Sequence, residues 1–137
     1  MTAQDKARTE AQERHEVAAR IGKAVQASLL PGDETVEASW VADAAAFLLD
    51  AADVRQPGEP VIELASASDG RRFLRIALIN DDMPFLVDSI AAAINAMDIQ
   101  IDRLVHPVLA VRRDEAGHLL AVPEDDPEAL PESMIDR

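Results

Sequence analysis

The chain has 137 residues, enough for one domain with a modest core, and a formal charge of −13. Such a charge repels phosphate backbones and anionic lipid, which argues against nucleic acid and membrane surfaces as partners. With no cysteine, disulfides, a thiolate nucleophile and cysteine-ligated metal are excluded. No apolar run approaches the ~18 residues of a membrane span, and Asp5, Lys6, Arg8 and Glu10 interrupt any export signal near Met1. The sequence therefore reads as that of a soluble, cytoplasmic protein. Its aromatic residues are Trp40, Phe47, Phe73 and Phe85, so the core must be aliphatic.

Residues 1–56 read as a helical region. Val17, Ile21, Ala24, Val25 and Leu29 form a weak apolar stripe in a first helix over 3–30. Alternating charges before Val17 suggest fraying first turns, and Gly22 inside the helix weakens it. Leu30-Pro31-Gly32-Asp33 ends that helix, and Asp33 is placed to cap the next. Val36, Trp40, Ala44, Phe47, Leu48 and Ala51 mark a second amphipathic helix over 34–52, with Trp40 and Phe47 as its anchors. A short turn between two helices predicts an antiparallel pair.

Residues 57–122 read as an α+β unit. Val61-Ile62 and Leu64 are followed by a polar stretch with Asp69-Gly70, then by Phe73 to Ile79, which predicts a β-hairpin. Apolar residues on both faces of the second run suggest an interior strand. Pro84 suits the first turn of a helix whose buried stripe is Leu86, Ile90, Ala93, Ile94 and Met97. Asp98 stands where left-handed geometry ends such a helix. A long strand is expected from Ile99 to Val111, and Pro107 would place it at a sheet edge or at a bulge. Asp114 to Gly117 is a turn, and His118 to Val122 is a partner strand. Residues 123–137 are rich in proline and acid. They read as a flexible tail, with Ser133-Met134-Ile135 as the possible start of a further strand. The fold class is α+β, without an internal repeat.

Few residues suggest chemistry. The five glycines stand apart, so no glycine-rich phosphate loop is formed, and the two lysines, Lys6 and Lys23, lie on the first helix. His15 and His118 read as solvated or structural. Asp102 and His106, four residues apart, make a poor metal set on their own. Asp81, Asp82 and Asp88 carry two readings. One is helix capping, with an aspartate accepting N–H groups of the following helix. The other is a pocket for a small zwitterion, lined by Asp81, Asp82, Met83, Pro84, Phe85 and Leu86. In it the backbone N–H groups near Phe85 and Leu86 receive a carboxylate, and an aspartate receives an ammonium. A small stand-alone enzyme using Asp82, Asp88 or His106 is a third possibility, but no nucleophile, metal set or phosphate cradle accompanies them.

The run from Arg75 to Leu120, with NDDMPFLVDS followed by HPVLAVRRD, resembles the amino-terminal region of the large bacterial NAD-specific glutamate dehydrogenases. The resemblance implies an ACT-like, ferredoxin-like fold that binds amino acids or mediates subunit contacts. It implies no catalytic residue, metal or cofactor in this chain, with NAD bound by a parent enzyme that oxidises glutamate to 2-oxoglutarate. The implied partners are an amino-acid effector, the rest of the parent chain and further copies in a homo-oligomer. Two departures stand out: the loop at Asp81 to Phe85 has no glycine, and the chain stops short of the module's second helix and last strand. An incomplete sheet with an open edge follows. The competing reading is a purely structural interaction module without a small-molecule ligand.

Overall fold

In a computed structural model, residues 2–29, 36–68, 70–124 and 126–136 are described. The first helix, α1, spans Ala3–Ala27 and starts with a capping box. The Thr2 hydroxyl accepts the Asp5 N–H at 3.2 Å, and the Asp5 carboxylate accepts the Thr2 N–H in return. Its buried residues are Val17, Ile21 and Val25, spaced by four, while residues 2–16 are all exposed. The second helix, α2, spans Ala38–Ala52 and lies antiparallel to it. Arg14 reaches Asp50 and Asp53 at 3.1 and 3.0 Å, while Gly22 faces Val41 and Ala45 further along. The expected turn from Leu30 to Asp33 lies outside the described residues.

The contact between the helices is made by small side chains. Ala44, Ala45, Ala51 and Ala52 are buried with Leu48 and Leu49, so the two backbones approach closely. Trp40 and Phe47, expected as anchors, are partly buried against the core, with Arg103 over the Trp40 ring and Arg75 beside the Phe47 ring.

The sheet holds five strands. β1 (Val61–Ser68) and β2 (Arg72–Asp81) form the expected hairpin, paired from Val61↔Ile79 to Ser68↔Arg72. Gly70 in its loop has φ 97, a left-handed conformation that glycine adopts without strain. After β2 come α3 (Leu86–Asn95), β3 (Val108–Arg113), β4 (Leu119–Ala121) and β5 (Leu130–Asp136). The strand order is β1-β2-β5-β3-β4, and each neighbouring pair is antiparallel. β2 and β3 therefore run in the same direction, with β5 inserted between them. Strand, helix and strand thus form a split βαβ unit, the half-module of a ferredoxin-like fold.

Several expectations change here. The segment after Pro123 supplies β5, which lies at the centre of the sheet; its prolines and acids concentrate in the connection before Leu130 and at Pro131 and Glu132. β3 begins only at Val108, and 99–107 is irregular. The strand beside Pro107 is interior, not an edge, with β5 on one side and β4 on the other. Pro107 lies ahead of the ladder, where its missing N–H interrupts no strand pairing, and its carbonyl accepts Met134 N–H at 2.8 Å. The irregularity in β3 falls at Arg112/Arg113 instead. The edge strands are β4 and β1. Beside β4 lies the segment after α2, through a Val54↔His118 bridge and the bonds Leu119 N–H to Asp53 O and Arg55 N–H to Gly117 O. Among the described residues, β1 is the edge without a neighbouring strand.

One apolar core joins the helices to the sheet. Ala77 and Ile79 of β2, Val111 of β3 and Met134 of β5 pack with Val105 under α1 and α2. The opposite face is poorly covered. Ile62 and Leu64 of β1 are 61% and 62% exposed, and Leu74 of β2 is 41% exposed. α3 leaves much of its apolar surface in solvent, with Ile94 as its buried residue and Met97 63% exposed. Its partly buried residues are Leu86, Val87, Ile90 and Ala91, so Ala93 and Met97 fall outside the true stripe. Asp98 has φ 58 and ends the helix in the left-handed conformation expected of it.

Gly22 offers a direct test of the helix pair. A Cβ there would meet Ala45 and Val41 at 3.6 and 3.7 Å, ordinary contact distances. Gly22→Ala should therefore raise unfolding stability by roughly 0.5–1 kcal/mol, the usual helix-interior gain. Urea denaturation measures it, and a loss of stability would mean that the helices need the missing methyl.

Candidate functional site

β2 ends at Asp81, directly opposite Glu132 on β5. Two carboxylates facing each other across strands repel, and Arg55 resolves the conflict. Its guanidinium donates to Asp81 Oδ1 at 2.8 Å, to Glu132 Oε1 at 2.9 Å and to the Glu59 carbonyl at 2.8 Å. Arg113 of β3 adds a bidentate pair to Glu132 at 2.8 and 2.9 Å, and its remaining arm donates to Gly117 O at 2.7 Å. Arg55 and Glu132 are 4% and 2% exposed. Burial by itself would push the Arg55 guanidinium down. The bonds to Asp81 and Glu132, with their charges, outweigh that and hold it above its ordinary value.

Gly117 is part of this design. Its φ is 90, and a Cβ on it would come within 2.4 Å of the Arg55 carbonyl. Asp114 sets the same turn by accepting N–H groups of Ala116 and His118, each at 2.9 Å. The His118 N–H and imidazole are the main cause holding its carboxyl below the ordinary range.

The loop from Asn80 to Leu86 starts at this cluster. Asp81 is tied to Arg55, and Asp82 accepts the Ser133 hydroxyl at 3.1 Å. Neither caps α3. Phe85 is the residue before the helix and no side chain caps it, which corrects the capping reading of Asp81 and Asp82. Pro84 sits in the turn ahead of Phe85 instead of in the first helical turn. Phe85 has φ 64, a conformation bulky residues avoid at about 1–2 kcal/mol, and it is 77% exposed. The chain has no glycine in this loop, yet the backbone takes a glycine-like turn with a phenylalanine. Met83, 49% exposed, touches Asn80 through its sulfur at 3.5 Å.

A cleft of about 300 Å³ opens beside Arg55, Asp81, Arg113, Gly58 and Leu130. Of the six residues expected to line a ligand pocket, Asp81 borders this cleft. Asp82 to Phe85 are exposed, and Leu86 is half-buried at the start of α3. Asp102 is bound by Arg71 at 3.2 Å, and His118 by Asp114 at 3.1 Å. His106 keeps a buried Nε2 without a hydrogen-bond partner among the described residues. Among those residues no group of three or more His, Asp or Glu is placed to hold a metal ion, and no helix is long and apolar enough to cross a membrane. Arg55, Arg113 and Glu132 are absent from the sequence reading, and Gly117 enters it only as a turn residue. A glutamate two positions before Met134 in β5 was the available signal, legible only once that segment is known to be a strand.

The described residues thus combine a split βαβ unit, a polar cluster at one strand end and a strained, exposed loop. Comparison with known proteins gives the family. Residues 30–136 match the family described as "Glutamate dehydrogenase, ACT1 domain". The NAD-specific glutamate dehydrogenase of Halomonas elongata is 44% identical over 64 residues, covering 44% of this chain and 4% of that protein. No solved structure matches significantly. The chain belongs to the glutamate dehydrogenase ACT1 domain family.

Glu132→Ala should cost about 3–5 kcal/mol in urea unfolding, because it removes the anion shared by buried Arg55 and half-buried Arg113. Asp81→Asn should cost under about 1 kcal/mol, since its side chain is 57% exposed and solvent screens it. Equal costs would show that Glu132 is not the centre. Asp114, with its pKa lowered by folding, stabilises the fold fully above the unfolded value of about 4. That contribution is lost as pH falls through the lower folded value. Carbon-13 NMR of its carboxyl should show a midpoint below that of a free aspartate, and a normal midpoint would remove the turn's electrostatic role.

Proposed function

We propose that this chain is the non-catalytic amino-terminal regulatory and assembly domain of a large NAD-specific glutamate dehydrogenase. The parent would convert glutamate, NAD⁺ and water to 2-oxoglutarate, ammonium, NADH and a proton, in the cytoplasm. NAD would bind in another part of that protein. The chain spans 4% of the relative it matches, so a larger protein around it is the natural setting.

The observation that carries the assembly reading is β1. It is the open edge of the sheet, and it presents Ile62 and Leu64 to solvent beside Leu74. An unpaired edge with apolar side chains is a template for a second strand, from another copy or from the rest of the parent chain. The ligand reading rests on the loop at Asp81, Asp82, Met83, Pro84, Phe85 and Leu86. There an amino-acid effector would meet the start of α3, and Phe85 is held in a strained, exposed position. Either event regulates only through different affinities for the parent's conformations. A purely structural module without a small-molecule ligand is the second reading, favoured by the engagement of both loop aspartates with protein groups.

Light scattering after size exclusion should find the 137-residue chain as a homo-oligomer, and Leu64→Lys should convert it to monomer without unfolding it. An unchanged oligomer in that variant would remove β1 from the interface. Calorimetric titration with an amino-acid panel tests the loop, and Phe85→Gly should weaken any binding while leaving stability equal or higher. Heat from no amino acid would leave the structural module standing.

A further inference from the structure

Among the described residues no strand neighbours the outer side of β1, and its sequence carries little that would block one. Val61–Ser68 has one charge, Glu63, and no lysine, proline or glycine. It pairs with β2 residue for residue, from Val61↔Ile79 to Ser68↔Arg72, so no bulge turns the edge away. Alternation sorts its side chains between the two faces. Val61, Glu63, Ala65 and Ala67 share the face of Ala77 and Ile79, which pack under α1 and α2. Ile62, Leu64, Ser66 and Ser68 lie on the opposite, exposed face.

Such a strand can pair with itself. A two-fold axis perpendicular to the sheet sets β1 of two copies antiparallel and keeps each face on its own side. The residue on that axis defines the register. Centred on Glu63, two like charges would stand directly opposite and repel. Centred on Ile62, the overlap shrinks to residues 61–63. Centred on Ala65, Leu64 and Ile62 face only Ser66 and Ser68. Centred on Leu64, each copy's Leu64 meets the other's, Glu63 meets Ala65, and Ile62 meets Ser66. β2 extends the match, because Ile76, Leu78 and Leu74 lie opposite Leu64, Ile62 and Ser66. The central row across both copies then reads Ile76, Leu64, Leu64, Ile76, and each flanking row reads Leu78, Ile62, Ser66, Leu74. On the helix side Glu63 faces Ala65 of the second copy, with Arg75 next in the same row, about 10 Å from Glu63 at strand spacing. That opposite charge favours the register whatever else Arg75 holds.

We propose that two copies of this chain join β1 to β1 with Leu64 on the two-fold axis, making one continuous antiparallel sheet. The occupant of the edge is a second copy because the strand is complementary to itself in that register, in face, apolar match and charge together. α1 and α2 of both copies share one side, and the exposed strips of Ile62, Leu64 and Leu74 become continuous on the other. A strand of this length, roughly 26 Å, buries on the order of 1,000 Å² in such a pairing, the low end for a specific interface. The dimer should therefore come apart on dilution, with half-dissociation in the micromolar range. The inference rests on the assembly reading of β1 and adds its partner and register.

The chain has no cysteine, so an introduced one is unique and reports on its own copy. Residues opposite each other in an antiparallel pair lie about 4.5–5.5 Å apart at Cα, within disulfide range. Leu64→Cys should therefore crosslink to its copy in oxidised glutathione. Ile62→Cys is equally exposed, 61% against 62%, but sits four residues out of register with its copy, as does Ser66→Cys. That offset is roughly 13 Å, too far to bridge. Leu64→Cys should form the covalent dimer at least about tenfold faster than either, and Ile62→Cys combined with Ser66→Cys should restore the fast rate. Sedimentation of the unaltered chain from about 1 to 100 µM should show a reversible dimer. Equal rates at the three positions, or a faster one at 62 or 66, in a chain that does dimerise overturn this pairing and leave the assembly reading in place. A monomer at every concentration overturns self-pairing and assigns β1 to the rest of the parent chain.

Discussion

The buried ion cluster of Arg55, Glu132 and Arg113 is the interaction on which the rest of the structure depends. It joins the segment after α2 to β2 through Asp81, to β5 through Glu132 and to β3 through Arg113. Ion pairs this far from water return little net stability compared with an apolar core of the same volume, but they punish any arrangement that leaves one partner alone. That penalty fixes register. β5 must place Glu132 opposite Asp81, and the turn at Gly117 must lie against Arg55, before the charges balance. The apolar core under α1 and α2 supplies the bulk of the burial, while the cluster decides which strands sit side by side.

From that constraint follows the division of the surface. The end of β2 is held rigidly by Arg55 and Ser133, so the loop to α3 leaves from a fixed point and Phe85 is displayed on it. At the opposite limit of the sheet no described residue covers β1 comparably, and Ile62, Leu64 and Leu74 are exposed. α1 and α2 pack on one side of the sheet, and the second side is thinly covered among the described residues. An aromatic cavity lined by Trp40 and Phe73 lies apart from the loop.

Local pattern was a sound guide where structure is local. The stripe at Val17, Ile21 and Val25, the hairpin around Gly70, the left-handed Asp98 and the antiparallel helix pair follow from period, turn chemistry and capping, and all four are present. The failures share one cause. Proline and acid in the last fifteen residues describe a local preference for loop, yet β5 is stabilised by hydrogen bonds to β2 and β3, which are remote in sequence. Pro107 suggested an edge because a missing donor matters inside a ladder, but the ladder starts one residue later. Asp81 and Asp82 looked like caps because they precede a helix, while arginine and serine from distant segments claimed them first. β1 pairs with the side of β2 away from β5, so both sides of β2 are occupied.

The sequence by itself determined the α+β class, an aliphatic core, the helical pair, the hairpin and the family. Each of these is encoded within a few turns or strands of neighbouring residues. Tertiary structure alone decided the place of β5, the open edge at β1, the pairing of Arg55 with Asp81 and Glu132, and the gathering of Arg71, Arg75 and Arg103 around Trp40. Those features depend on charges and rings brought together from positions far apart in the chain. No local rule records them, because the energy of a buried charge depends on which partner the completed fold supplies.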